Sequence, residues 1–274
     1  PHTDVVSLSA AALAMQYKNF GGDKYLKTAE MLFAYAKNHN KSVGTTSGSF
    51  YVSSNWEDDY CLAALLLYQI TGNTSYLSEY NQYKNADAAM KPYWPLGWDN
   101  VGPAVAYYDE NSSKIASLMG ISDGNSTYGG YRCVSNWGSA RYNTSMQYTG
   151  LLYDKMTSIE TYRGWSEGQM KYLLGNNAAK QCFVIGYNAY GPKYPHHRAA
   201  SGYTGKDQGT TAQKNMLIGA LVGGQKIDGS YVDSASDYVC NEVAIDYNAT
   251  LVAAAAAILS LIHISEPTRL RRIS

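Results

Sequence analysis

Cysteine is scarce in this chain of 274 residues: Cys61, Cys133, Cys182 and Cys240 are the four present. None belongs to a Cys-x-x-Cys pair or a ligand cluster, which argues against a zinc site, and their pairing is not legible from spacing. Net charge is lacking too, with 22 basic residues against 22 acidic ones. Without a basic block in the main body to track phosphates or anionic lipid, nucleic acid is not an expected partner. No apolar run reaches the roughly 20 residues of a membrane-spanning helix, and no secretory leader opens the sequence. Period-two alternation is confined to one stretch, SGSFYVSS at 47–54, so a sheet-built domain is not expected.

What the chain does have is tyrosine, 26 residues, with 5 tryptophans beside it. Flat amphipathic rings suit sugar faces, because C–H groups pack on the ring while hydroxyls stay wet. Most of these rings are nevertheless expected to be helix-packing core. Apolar residues recur at helical spacing in LKTAEMLFAYAKNH, DDYCLAALLLYQIT, VGPAVAYYDE, TSMQYTGLLYDKM, RGWSEGQMKYLLG, AQKNMLIGALVGG and NEVAIDYNATLVAAAAAIL, and the opening PHTDVVSLSAAALAMQYKNF also reads as a helix. Gly, Asn, Ser and Pro fill the connections. An all-α domain is predicted. The distinctive aromatic and polar groups gather in the loops SSNWEDDY, PYWPLGWDN, GGYRCVSNWGSARY and 175–205, and loops held by a rigid helical scaffold are favoured places for binding.

The most informative run is YVDSASDYVCNEVAIDYNA, residues 231–249, in which Asp233 and Glu242 stand nine positions apart around Tyr238. Polysaccharide hydrolysis needs positioned carboxylates of this kind. The run resembles the second signature of glycoside hydrolase family 9, a cellulase family. Pro195-His196-His197-Arg198 is similar to the end of that family's first signature, whose upstream half has drifted at Cys182, Ile185, Asn188 and Tyr190. WEDDYCLAALLLYQITGNTSYL, GWDN, WGSARY and QMKYLLGNNA follow the family's characteristic stretches in order.

The resemblance implies an (α/α)6 barrel with about two thirds of it present, and an inverting β-1,4-glucan hydrolase, monomeric and secreted, requiring no cofactor. An inverting enzyme needs a proton donor and a separate base for water. Glu242 matches the donor; read on position alone, it is also a glutamate in the first turn of a helix. Asp233 is the second matching active-site position, although Ala235 stands where the family commonly has Arg. It acts directly, orients the site, or makes a local Asx turn after Asp228-Gly229. His196 and Arg198 are matched to sugar contact. Trp94 and Trp137 fall in family-like cleft loops as stacking candidates, with Tyr238 beside the acid; Trp98 is as readily a packing residue. Ser54, Asn55, Asp58, Asp59 and Asp99 align with a region where some family members hold calcium, and equally read as a helix cap by Asn55 followed by first-turn acids.

The family's base belongs to an Asp-Ala-Gly-Asp motif, which does not occur in residues 1–274. Both ends read as cuts. About 150 residues of a full helical barrel are expected upstream. Residues 1–260 are read as a partial family 9 catalytic domain. The abrupt LIHISEPTRLRRIS at 261–274 resembles a non-native read-through from a sequencing adapter, with a natural basic tail as the alternative.

Overall fold

A computed structural model describes residues 2–44, 51–91, 94–120, 127–202, 211 and 213–265, without the side chains of 261–265. It divides into two compact units, Pro1–Leu118 and Met119–Ser274. The predicted all-α character holds, and the one sheet among the described residues is a two-stranded ribbon.

In the first unit, α1 (Thr3–Phe20) packs on α2 (Asp23–Asn38) and α3 (Glu57–Thr71), and α3 in turn packs on α4 (Thr74–Tyr83) and α5 (Gly102–Tyr108). α1 meets its neighbours through Ser7, Ala10, Ala11 and Ala14, one face of small residues that lets helices approach closely. α3 is the central helix, with every residue from Asp58 to Leu67 buried. Phe33 of α2 lies 4.7 Å from the Tyr60 ring of α3, and burying such a ring contributes about 1.5–3 kcal/mol. Thr71-Gly72-Asn73-Thr74 makes the expected turn between α3 and α4. Gly72 is left-handed (φ 70°) and its N–H caps the Tyr68 carbonyl, while the Asn73 side chain accepts from Ser75 N–H. α6 (Ser112–Met119) closes this part of the chain. Of the predicted strand in SGSFYVSS, residues 47–50 lie outside the described set, and Tyr51–Ser54 is irregular.

The second unit is built on α7 (Ser139–Thr157), which packs against α8 (Arg163–Leu173) and α11 (Ile245–Ser265). The carboxylate of Asp154, near the end of α7, accepts the N–H groups of Thr161, Tyr162 and Arg163 and so caps the start of α8. β1 (Thr127–Tyr128) and β2 (Tyr131–Arg132) are joined by Gly129-Gly130, both at positive φ as a tight hairpin demands. Asn143, one of several Asn-x-Ser/Thr acceptor triplets, is buried and donates to Gln169 Oε1 (2.7 Å), which removes it as a glycosylation site in the folded chain.

One predicted helix is absent. AQKNMLIGALVGG runs as irregular, partly extended chain in its described residues 213–224. Ile185 N–H donates to the Ala220 carbonyl and Val222 N–H to the Phe183 carbonyl, so this stretch pairs with 183–185 in place of coiling. Leu221, Val222, Phe183, Val184 and Ile185 form one buried cluster, and Gly219 and Gly224 adopt positive φ at either end. Buried Leu221 and Val222 and exposed Met216 and Ile218 together made the apolar run that imitated a helix. α11, by contrast, continues to Ser265, beyond the point where its apolar pattern was expected to stop.

Candidate active site

Three backbone segments of the second unit are tied together where α7 begins. Gly138 N–H donates to the Val239 carbonyl (3.1 Å), Ala140 N–H to the Gly223 carbonyl (2.9 Å) and Gly224 N–H to the Cys240 carbonyl (2.9 Å). A Cβ on Gly223 would lie 2.6 Å from the Val239 oxygen, so only glycine allows this approach. Fully buried Asn241 extends the tie in two directions. Its carbonyl accepts from His196 N–H (2.8 Å), its Oδ1 from the Tyr231 hydroxyl (2.5 Å), and its Nδ2 donates to the Val232 carbonyl (2.7 Å). Trp137, His196, Tyr238 and Glu242 are thereby brought together from three distant stretches of chain.

Glu242 follows α10 (Tyr238–Asn241), which the Asp237 side chain caps, and its own backbone is extended with ψ 141°. It is therefore not in the first turn of a helix, the positional alternative considered above; α11 starts only at Ile245. Its Oε2 accepts two long hydrogen bonds, from Tyr247 OH (3.2 Å) and Trp137 Nε1 (3.4 Å). Both fall on one oxygen, so Oε1 accepts neither. The Trp137 and Tyr238 rings, each about half exposed, lie 5.2 Å apart, and the His196 ring is 5.9 Å from that of Tyr238. This is an aromatic wall with one carboxyl at its foot.

His196 Nδ1 lies 2.6 Å from the Ala235 carbonyl. A carbonyl can only accept, so Nδ1 carries the hydrogen and Nε2 is the nitrogen left for a ligand. Asp233 accepts Lys193 N–H (2.8 Å) and Tyr194 N–H (3.0 Å), one on each oxygen. These long-range bonds replace the local Asx turn, which Asp228 makes instead with Ser230. Asp233 thus pins the segment that leads into Pro195-His196. Arg198 is exposed at the head of α9 (Arg198–Ser201), and His197, to which no role was given, caps that turn by accepting Ala200 N–H (3.1 Å).

Two further residues support Glu242 and were not singled out from sequence. Tyr247 is buried at 1 % exposure, against Gly138, and Arg141 stacks over its ring at 4.8 Å while pairing with Asp246 (3.1 Å). Burial, ahead of the opposing Arg141 charge, raises the Tyr247 pKa, which keeps its hydroxyl a donor to Glu242. The available signal was the spacing of Tyr247 five residues beyond Glu242 within the motif, but spacing does not say which ring is turned inward.

The cation candidates lie in the first unit. Asp99 Oδ1 accepts Ser54 N–H (2.6 Å) and Ser53 Oγ–H (3.2 Å); Asp58 accepts Asn55 Nδ2–H (2.5 Å) and Val101 N–H (2.8 Å). Lys91 Nζ donates to Ser54 Oγ (2.5 Å). The helix-cap reading of Asn55 is corrected here: Trp56 occupies the cap position of α3 with no side-chain cap bond, and the Asn55 amide goes to the Asp58 side chain. Burial pushes the carboxyl of Asp59 well up, reinforced by Asp58, Asp4 and Asp99, and burial also raises Asp58. Buried carboxylates are right in kind for a hard cation. Among the described residues, however, no three His, Cys, Asp or Glu groups converge as ligands. Trp94, 37 % exposed, belongs to this unit, with its carbonyl held by Asn100 Nδ2 (2.8 Å). Trp98 meets the Tyr51 ring edge-on at 5.3 Å.

Comparison with known proteins extends this geometry. The sequence profile of glycosyl hydrolase family 9 matches residues 1–255. Endoglucanase B of Cellulomonas fimi is 31 % identical over 295 residues, covering 94 % of this chain and 28 % of its own length. The catalytic domain of Clostridium thermocellum CelT superposes with a TM-score of 0.87 at 36 % identity, over 94 % of this chain and 61 % of that one. The C. cellulolyticum cellulase Cel9M, solved with cellobiose, gives 0.86 at 29 % identity, over 96 % and 65 %. The chain thus spans less than half the length of the curated relative and under two thirds of the matched structures. The likeness establishes the fold class as the (α/α)6 helical barrel type. No helix among the described residues is long and apolar enough to cross a membrane.

Proposed function

The chain belongs to glycosyl hydrolase family 9, and from that premise we propose that residues 1–260 are the acid-bearing part of an endo-β-1,4-glucanase acting on cellulose or related β-glucans. The observation that carries the proposal is Glu242, with both donors on Oε2 and Oε1 left over, at the foot of the Trp137–Tyr238 wall. A glucan chain stacks its sugar faces on that wall, and Glu242 protonates the departing glycosidic oxygen. His196 Nε2 and Arg198 bind sugar hydroxyls, and Asp233 orients the His196 loop. Inversion requires a second carboxylate to activate water from the opposite face. The Asp-Ala-Gly-Asp motif that resemblance would assign to this task is not in the sequence, so the base comes from family sequence outside these residues.

The test compares residues 1–274, alone and joined to the remainder of a family 9 domain, on cellotetraose. Joined, they cleave it with inversion, and Glu242→Gln abolishes the cleavage. Turnover by residues 1–274 alone would refute the placement of the base. The missing motif also favours a second reading, a glycan-binding relative without catalysis, for which cellotriose would bind and no joined form would cleave. An exo-acting enzyme on short glucan or glucosaminide oligomers keeps the same site and would be separated by product lengths.

We propose further that the Ser54, Asn55, Asp58, Asp59 and Asp99 cluster takes a structural calcium ion, supported by its buried carboxylates and tested by the melting temperature on adding calcium after chelation; an unchanged value refutes it. Secretion is proposed from the polymeric substrate, which does not enter a cell.

A further inference from the structure

The β1–β2 hairpin holds an exposed ring at a fixed place. Gln169 of α8 locks the hairpin, its Oε1 accepting Arg132 N–H (2.9 Å) and its Nε2 donating to the Gly130 carbonyl (2.7 Å). Fully buried Tyr131 anchors it further by stacking on Tyr172 at 4.9 Å. Tyr128, across the ladder from Tyr131, is nevertheless 50 % exposed. It lies on Gly229: a Cβ there would overlap Cε1 of the Tyr128 ring and lie 2.5 Å from Cδ1 and 2.6 Å from Cζ, so the bare backbone of glycine is what lets the ring settle. Gly229 belongs to the turn at 226–230, closed by Lys226 N–H on the Ser230 carbonyl and Gly229 N–H on the Lys226 carbonyl, both 2.9 Å. The same turn is tied to the aromatic wall, because Ile227 N–H donates to Asn136 Oδ1 (2.8 Å) and Asn136 adjoins Trp137 in the chain. Ile227 and then Tyr128 thus stand exposed along the connection that leads away from Trp137.

We propose, on the glucan-binding reading of the Trp137–Tyr238 wall, that Tyr128 is a further stacking ring of the same cleft, so that the chain grips glucans longer than that wall covers. Three observations select a sugar. A flat, half-exposed, amphipathic ring is the surface on which a sugar packs its C–H groups while its hydroxyls stay in water. Asp228, next to Gly229 in the turn, is exposed to accept such hydroxyls. And the ring is held before any ligand arrives, by Gly229 beneath it and by Gln169 through the hairpin, so binding costs little ordering entropy. A protein partner would call for a contiguous apolar patch, whereas exposed Thr127, Asp228 and Ser230 interrupt this one.

The experiment is calorimetry of residues 1–274 with cellotriose and cellohexaose. The native chain is expected to bind the hexaose more tightly than the triose. Tyr128→Ala should weaken cellohexaose binding about three- to tenfold, the value of one stacked ring, and leave cellotriose binding unchanged. Tyr128→Phe should keep the native hexaose affinity, and Trp137→Ala should weaken both sugars. Circular dichroism confirms that each variant is folded; should Tyr128→Ala not fold, Tyr128→Leu, which still covers Gly229 without a flat face, takes its place with the same expected loss. Hexaose affinity unchanged in Tyr128→Ala while Trp137→Ala weakens both sugars overturns the inference and leaves the wall standing, as does a native chain with no preference for the hexaose. Equal loss on both sugars makes Tyr128 a structural residue and overturns it too. If Trp137→Ala alters neither affinity, the glucan reading of the wall fails, and this inference with it.

Discussion

Gly138→Ala is the most revealing single change, because Gly138 stands between the acid and its support. Its backbone is left-handed (φ 61°) at the N-cap of α7. A Cβ there would lie 2.5 Å from the Tyr247 hydroxyl oxygen, 2.8 Å from its Cζ and 3.2 Å from Arg141 Nε. Two costs follow. The left-handed conformation costs a non-glycine residue about 1–2 kcal/mol, and forcing a methyl group into packed surroundings costs about 1–3 kcal/mol. Tyr247 is fully buried and clamped by Arg141, so it has little room to retreat, and the expected loss is about 2–5 kcal/mol. The assay is urea unfolding followed by tryptophan fluorescence, with Trp137 reporting close to the perturbation. Gly164→Ala in α8 is the control: nothing lies within 4 Å of the added methyl group, and replacing a helical glycine should stabilise by about 0.5–1 kcal/mol. A Gly138→Ala midpoint within error of the native one would refute the packing of Tyr247 described here, and with it the support of Glu242.

Other outcomes follow from the same contacts. Asn241→Ala removes two side-chain hydrogen bonds from a buried site, leaving the His196 N–H bond to its backbone carbonyl, and should cost about 2–4 kcal/mol, measured by the same unfolding; a loss under about 1 kcal/mol would show that the tie does not hold the site. Trp137→Ala should weaken cellotriose binding about tenfold, in line with the value of a stacked aromatic, leaving the circular dichroism spectrum unchanged; unaltered calorimetric affinity removes Trp137 from the wall. Burial and acidic neighbours raise the Asp59 pKa from 3.8 to about 9. Between these values the unfolded chain has released a proton that the folded chain retains, so metal-free stability contributed at low pH is lost as pH rises toward 9. Asp59→Asn should flatten this fall, seen as melting temperatures at pH 5 and 8 in chelator; an unchanged slope in the variant would contradict the burial of Asp59.

Sequence carried the helices well where one face was apolar, as in α2 with Ala29, Phe33 and Ala36, or where an end was punctuated, as in α3 with Gly72-Asn73 behind it. It failed at 213–224, where exposed Met216 and Ile218 and the buried, extended Leu221-Val222 together wear the composition of a helix. The motif residues Trp137, His196, Tyr238 and Glu242 do meet, yet pattern alone gave no hint of what assembles them. That work is done by Gly223, Gly224 and Asn241 through backbone bonds between segments distant in sequence. Asp233 illustrates the same limit. Its identity was legible, but its partners lie 39 and 40 positions away, in a loop it anchors by accepting N–H groups. The acid pair Asp58-Asp59 was visible as first-turn residues of α3, while their burial depends on α5 and the Asp99 loop folding over them.

The most direct test of Glu242 as proton donor compares two substrates with residues 1–274 joined to the remainder of a family 9 domain, before and after Glu242→Gln. Cellotetraose has a sugar leaving group that needs protonation, whereas a dinitrophenyl β-cellobioside departs without it. The account predicts that Glu242→Gln loses at least about a hundredfold on cellotetraose while keeping most of its rate on the aryl glycoside. An equal loss on both substrates would contradict it, and would place Glu242 in binding or in holding the site together.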